Sequence, residues 1–193
     1  MALVFATNNH NKLKEVKNKL KIDILSLADI QCTEDIEENG KTFEENALIK
    51  AKYVLEKYGY DCFADDSGLE VEALGGEPGV YSARYAGEHG NAQANMQKLL
   101  QNLKGISNRK ARFVTVICLI TKEKAVYFRG EIKGTIIDEQ RGNDGFGYDP
   151  IFVPDGFDRT FAEMNIEEKN KMSHRALAIE KMLKYIHDLQ NEA

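Results

Sequence analysis

Apolar positions along this chain fall into short blocks whose period alternates between that of a strand and that of a helix. Leu3–Ala6 is a short continuous apolar run, the pattern of a buried strand. Leu13, Val16, Lys17 and Leu20 follow at helical spacing, and Ile22–Leu27 reads as a second strand. An acidic, polar loop from Asp29 to Lys41 leads to Thr42 with Glu45 three residues on, the sequence of a capping box. The helix opened there carries Phe43, Ala47, Ala51, Val54, Leu55 and Tyr58 on its buried side and stops near Gly59. A strand then delivers Asp65, and Gly75-Gly76-Glu77-Pro78-Gly79 has the composition of a turn.

A helix is expected from about Asn91 to Leu103. Two strong β segments follow, Arg112–Thr121 and Ala125–Gly134, separated by Lys122-Glu123-Lys124 and so read as an antiparallel hairpin. Residues 140–149 form a Gly-rich loop. The last helix begins at Ser173, a good N-cap, with Ile179, Met182, Leu183, Ile186 and Leu189 as its stripe. Early alternation of strands and helices with a later hairpin favours a mixed-sheet α/β protein over a purely parallel one.

Composition narrows the class. The 193 residues suit a single domain, 1–193, and 42% hydrophobic content is enough for a core. No apolar run approaches the ~18 residues of a membrane span, so no membrane partner is expected. The start lacks a basic leader before a long apolar stretch, so no secretory signal is expected. Three cysteines, Cys32, Cys62 and Cys118, lie far apart without metal-ligand spacing, which fits a reducing cytosol and neither a zinc site nor a disulfide framework. Net charge is −5 and the cations are dispersed. A nucleic-acid polymer binder shows a basic stripe. Phosphate, if bound, belongs to a small molecule.

The candidate chemistry centres on Ala64-Asp65-Asp66-Ser67-Gly68. Adjacent carboxylates at the end of a strand raise each other's pKa unless a cation neutralises them, and Mg²⁺ takes hard oxygen ligands. The alternative is a plain turn, for which Asp, Ser and Gly are ordinary residues. The first strand-to-helix turn, Thr7-Asn8-Asn9-His10-Asn11-Lys12, offers a helix N-terminus and a lysine to phosphate, or is simply a polar cap. It has no P-loop pattern. The acidic loop holds Glu34, Asp35, Glu37 and Glu38, solvated surface unless one member completes a metal site with Asp66. Lys50 borders the buried stripe of its helix, either snorkelling or reaching a phosphate. Gly142-Asn143-Asp144-Gly145-Phe146-Gly147-Tyr148-Asp149-Pro150 brackets two aromatics with glycines, which suits base stacking or core packing. Lys169, His174 and Arg175 supply donors around a helix start.

These motifs occur in one order: Thr7-Asn8-x-x-x-Lys12, Ala64-Asp65-Asp66-Ser67-Gly68-Leu69, Gly75-Gly76-x-Pro78-Gly79-Val80-Tyr81-Ser82-Ala83-Arg84, Phe146-Gly147-Tyr148-Asp149-Pro150 and Ser173-His174-Arg175. In that order the chain resembles the inosine triphosphate pyrophosphatase family, the Ham1-like proteins. The resemblance implies an elongated mixed sheet with flanking helices and two lobes around a central nucleotide-binding cleft. It implies a cytoplasmic, homodimeric, Mg²⁺-dependent hydrolase that converts ITP, dITP and XTP to the monophosphate and pyrophosphate, removing deaminated purines from the nucleotide pool. It implies that Thr7, Asn8, Asn9, His10, Asn11 and Lys12 hold the phosphates, that Lys12 has a catalytic part, and that Asp66 is a metal ligand, with either Asp66 or a metal-bound hydroxide as the proton acceptor. Ser67 would touch substrate. Phe146, Gly147, Tyr148 and Asp149 would line the base pocket, completed by Lys169, His174 and Arg175. The second metal carboxylate is Glu37 or Glu38. One departure is visible: many members have glycine where Asn8 stands, and asparagine tolerates left-handed backbone better than most residues.

Two rival readings remain from the residues themselves. A phosphatase with an Asp nucleophile would carry Asp-x-Asp after its first strand, where this chain has Thr-Asn-Asn. A non-enzymatic nucleotide binder would need no acidic metal site.

Overall fold

A computed structural model describes residues 2–20 and 22–193; Met1, where the expected single domain begins, lies outside them. Six strands form an open mixed sheet in the order β2-β1-β3-β4-β5-β6. β1 (Leu3–Phe5) lies parallel to β2 (Ile24–Leu25) and to β3 (Asp61–Val71). Parallel neighbours need crossovers, supplied by α1 (His10–Lys19) and α2 (Phe43–Tyr58). After α3 (Ala92–Asn102), β4 (Lys110–Ile120) is followed by β5 (Ala125–Ile136) across a turn in which the Thr121 N–H donates to the Lys124 carbonyl at 3.0 Å. A link that short joins only antiparallel strands. β5 pairs antiparallel with β6 (Phe152–Pro154), and α4 (Ile166–Lys169) and α5 (His174–Glu192) close the chain.

The chain forms two compact units. The first takes the chain up to Asp66, then Thr115–Gly130 and Arg175–Ala193; the second takes Ser67–Val114 and Glu131–His174. In the first, strand alternation sorts side chains onto two faces. Leu3, Phe5, Phe63, Ile117 and Leu119 pack with Val16 and Leu20 of α1 and Ile179 and Met182 of α5. Val4, Ala6, Cys62, Ala64 and Cys118 pack with Ala47, Ala51 and Val54 of α2. Register makes the first face continuous: Phe5 sits opposite Phe63, and their rings stack 4.6 Å apart. The second unit has its own core, built from Leu69, Val71, Met96, Leu99, Phe113, Phe152 and Phe161.

Several boundaries differ from the pattern. β2 keeps only two residues of the run expected at Ile22–Leu27, because its neighbour β1 is itself three residues long. Thr42 caps α2 by accepting the Glu45 N–H at 3.1 Å, yet the Glu45 carboxylate accepts from Lys41, so the reciprocal half of the capping box is missing. α2 ends where expected, at Gly59 in the left-handed region (φ 75°) that glycine adopts without steric cost. Leu189, expected in the stripe of α5, is 44% exposed, since the core beneath the helix ends at Ile186.

Phe63→Ala is expected to cost about 3–5 kcal/mol of unfolding free energy, whereas Leu189→Ala stays within about 0.5 kcal/mol. Urea unfolding of both variants checks this, and equal effects would contradict the packing described.

Candidate active site

β1 stops at Phe5, while β3, paired with it through Phe63, runs on to Val71. Asp65 and Asp66 therefore sit in the middle of β3 but beyond the carboxyl end of β1, the edge at which ligands bind in open α/β sheets. This corrects the expectation of a strand end or turn at residues 64–68. Alternation also separates the two carboxylates. Asp65 follows Phe63 onto the α1 and α5 face, and Asp66 follows Ala64 onto the α2 face.

Asp65 is 1% exposed. Burial opposes its charge, but Lys12, Arg175 and Lys50 outweigh burial and hold the carboxyl well below its usual range. Lys12 Nζ is 3.3 Å from Oδ1 and Arg175 Nε is 3.0 Å from Oδ2. Arg175 is equally buried and also pairs through Nη1 with the buried Glu15 of α1. Burial pulls the pKa of Lys12 down, with Asp65 opposing and Lys50 and Arg175 adding to the fall.

Asp66 is 8% exposed and is pushed up to about 6, chiefly by burial; Lys12 and Lys50 pull it down and Glu38 pushes it further up. The buried Asn46 donates from Nδ2 to Asp66 Oδ2 at 3.0 Å. Lys50, also buried on α2, donates to the Asp65 carbonyl and lies 2.8 Å from Glu38 Oε1. Burial disfavours its charge, yet Glu38, Asp65 and Asp66 more than offset that and raise its pKa. Snorkelling does not describe such a lysine. In the acidic loop Glu38 meets this cluster, whereas Glu37 is exposed, Glu34 turns to Lys57, Tyr58 and Cys32, and Asp35 meets Asn8 at 3.5 Å.

The turn before α1 is more self-satisfied than its sequence implies. Asn9 Oδ1 accepts the N–H groups of Asn11 and Lys12 at 3.0 and 3.2 Å, so those donors are already used. Thr7 is buried, and its Oγ1 accepts from Asn9. Asn8, His10 and Asn11 are exposed. Among the described residues Gln31 is the single non-glycine with positive φ, so Asn8 needs no left-handed backbone.

In the second unit, Asp149 Oδ2 accepts from the Phe146 N–H at 3.0 Å and from Lys169 Nζ at 2.8 Å. A Cβ on Gly145 would lie 2.2 Å from that oxygen, which is why the loop needs glycine there. Lys169 Nζ lies 4.7 Å from the centre of the half-buried Phe146 ring, a cation–π contact. His174 stacks on Phe113 at 4.8 Å. Tyr148 is core: buried, with its hydroxyl donating to the Ser82 carbonyl at 2.7 Å. Ser67, the first residue of this unit, is half-buried. Arg175, expected beside His174 at a base, instead belongs to the Asp65–Glu15 cluster of the first unit.

The sequence model of the Ham1 family matches residues 3–185. The chain belongs to the Ham1 family. A dITP/XTP pyrophosphatase of Christiangramia forsetii is 55% identical over 188 residues, covering 96% of this chain and 99% of that protein. One from Flavobacterium johnsoniae is 56% identical over 185 residues, covering 95% and 96%. The Staphylococcus aureus Ham1 protein superposes with a TM-score of 0.88 at 39% identity, covering 97% of this chain and 99% of that one.

In this Ham1 chain, four carboxylates of the first unit (Glu15, Glu38, Asp65, Asp66) face three cations (Lys12, Lys50, Arg175), an excess of one negative charge. The pKa of the Asp66 carboxyl is raised chiefly because it is buried, with Glu38 adding to the rise. Hard carboxylate oxygens short of positive charge fit a divalent cation. Among the described residues no group of three His, Cys, Asp or Glu side chains forms a metal cage, so a cation here would have to keep most of its waters. Glu15 and Asn46 were missed as members of the cluster. For Asn46 a signal existed, since it stands three residues after Phe43 and four before Lys50, on the buried stripe of its helix.

The raised pKa of Asp66 has a stability consequence in the metal-free protein. A carboxyl whose folded pKa exceeds its unfolded value contributes stability fully below ~3.9 that is lost as pH rises through about 6. With chelator present, Asp66→Asn is expected to exceed wild type by about 2–3 kcal/mol at pH 7.5 and to lose that advantage as pH falls towards 4. Denaturant curves at the two pH values check this; a gap that does not vary with pH would contradict the electrostatic account.

Proposed function

We propose that this chain hydrolyses dITP, ITP and XTP to the nucleoside monophosphate and pyrophosphate. The observation that carries the reading is the cluster at Asp66: a buried carboxylate held by Asn46, in the field of Lys12, Lys50 and Glu38, beyond the carboxyl end of β1. The relatives named dITP/XTP pyrophosphatases, similar over nearly the full chain, support the substrate class.

In this reading the oxygen of a water attacks the α-phosphorus, its proton passes to Asp66, and the bond from the α-phosphorus to the bridging oxygen breaks. Pyrophosphate leaves. In the metal-free protein burial raises Asp66 to about 6, the range of a carboxylate basic enough to accept a proton, and a bound cation would lower that value. Lys12, at the start of α1, takes up charge developing on the leaving group, and Lys50 positions Glu38. Asp66 and Glu38 are the residues that would hold Mg²⁺, which when bound neutralises phosphate charge. Thr7 and Asn9 shape the turn that brings Lys12 to the phosphates, with Asn8, His10 and Asn11 exposed beside it.

At the base end we assign Phe146 to stacking, and Lys169 and His174 to the 6-keto oxygen, with Gly147 and Asp149 shaping the loop and Ser67 at the substrate. A keto oxygen accepts from such donors, whereas the amine of adenine offers donors instead. Arg175 acts through Asp65. The homodimer and the cytoplasmic location belong to this proposal. Three free, buried thiols support a reducing compartment, and among the described residues no helix is long and apolar enough to cross a membrane.

Product identity decides among the readings. Incubation with dITP and Mg²⁺ is expected to release dIMP and pyrophosphate in equal amounts, with Asp66→Asn slower by ~10²–10⁴. Orthophosphate with dIDP would favour a phosphatase, and no product a nucleotide-binding regulator. A second measurement tests the base assignment: wild type is expected to prefer ITP over ATP by roughly 10²-fold. Lys169→Met should lose most of that ratio while retaining its activity on ATP. An unchanged ratio would move the role to another residue.

A further inference from the structure

Asn46 projects from α2 between Gly40 of the acidic loop and Asp66 of β3, and is buried. Its Oδ1 accepts the Gly40 N–H at 2.8 Å, and its Nδ2 donates to Asp66 Oδ2 at 3.0 Å. A backbone N–H only donates, so Gly40 dictates which end of the amide meets the loop and which meets Asp66. One side chain thus ties the loop backbone to the Asp66 carboxylate. Gly40 is glycine for space: its φ lies outside the positive region, and a Cβ there would come 2.7 Å from Asn46 Oδ1 and 2.7 Å from Glu45 Cβ. The loop is therefore seated directly on the amide, two residues after Glu38.

We propose that Asn46 is a positioning residue that holds Asp66 and Glu38 together as one divalent-cation site. The proposal rests on the reading of those two carboxylates as cation ligands. An oxygen of Asp66 accepts from one end of the amide and the loop carrying Glu38 donates to the other, so the two carboxylates share one support, with Lys50 pairing to Glu38 beside it. Glutamine is one methylene too long to reproduce both bonds, and serine is too short to span them.

The test uses the nucleotide-free full-length protein and Mn²⁺, which favours the same oxygen donors as Mg²⁺ and whose free fraction is read by electron paramagnetic resonance. Wild type is expected to bind Mn²⁺, and Asn46→Leu to bind it 10–100-fold more weakly, the usual effect of removing a residue that orients a ligand. Gly40→Ala, which keeps the amide but displaces it, is expected to weaken binding in the same direction. If Asn46→Leu does not fold, Asn46→Ser is read in its place. A merely structural role lowers the melting temperature while leaving the Mn²⁺ affinity of the folded variants at the wild-type value, and that result overturns the proposal. Wild-type protein that binds no Mn²⁺ overturns the cation reading as well, so the two failures are distinguishable.

Discussion

A carboxylate buried as deeply as Asp65 persists only with cations around it, and three helices deliver them. Lys12 arrives from α1, Lys50 from α2 and Arg175 from α5. Desolvation costs several kcal/mol for each buried ion, and removing one partner of such a group is far worse than never burying it. The termini of α1 and α5 and the middle of α2 are thereby tied to one point on β3. Glu15 completes the arrangement by taking the far side of the Arg175 guanidinium. Asp65 is thus an organiser, and in the proposed reaction the chemistry falls to its neighbour.

That division follows from strand geometry. Asp65 faces the cations that neutralise it, while Asp66, one residue on and on the opposite face, is left with two lysines already shared and a second carboxylate close by. A strained balance of this kind costs stability, and such costs concentrate at functional sites. The small residues Ala47, Ala51 and Ala64 beneath the Asp66 carboxylate let α2 approach β3 closely enough for Asn46 and Lys50 to reach.

The second unit repeats the logic on a smaller scale. Lys169 is buried between the Asp149 carboxylate and the Phe146 and Phe161 rings, which hold an ammonium with little freedom to wander. Gly145 leaves room for the Asp149 oxygen, and Tyr148 anchors the loop to the core through Ser82. In the proposed reading, a donor preorganised in this way discriminates between a keto oxygen and an amine more sharply than a mobile one, because the mismatch cannot relax.

The periodicity of the chain determined that α1, α2 and α5 exist, that a hairpin follows Arg112, and which face of each helix is apolar, because side-chain spacing along an element is a local property. The motifs in order determined the family and the residue types at the site. Neither exposed which face of β3 each aspartate takes, since that depends on the pairing of Phe5 with Phe63 and on where β1 stops. The strand end or turn read at residues 64–68 is strand interior for the same reason: tertiary pairing carries β3 on to Val71. Glu37 and Glu38 are equivalent in composition, and only the seat of the loop on Asn46 and Lys50 separates them. Arg175 reads as a donor beside His174 along the chain, yet one step along a helix swings a side chain by ~100°, and that rotation sends it to Asp65 and Glu15. Local spacing writes the elements; long-range charge pairing decides which of their polar residues meet.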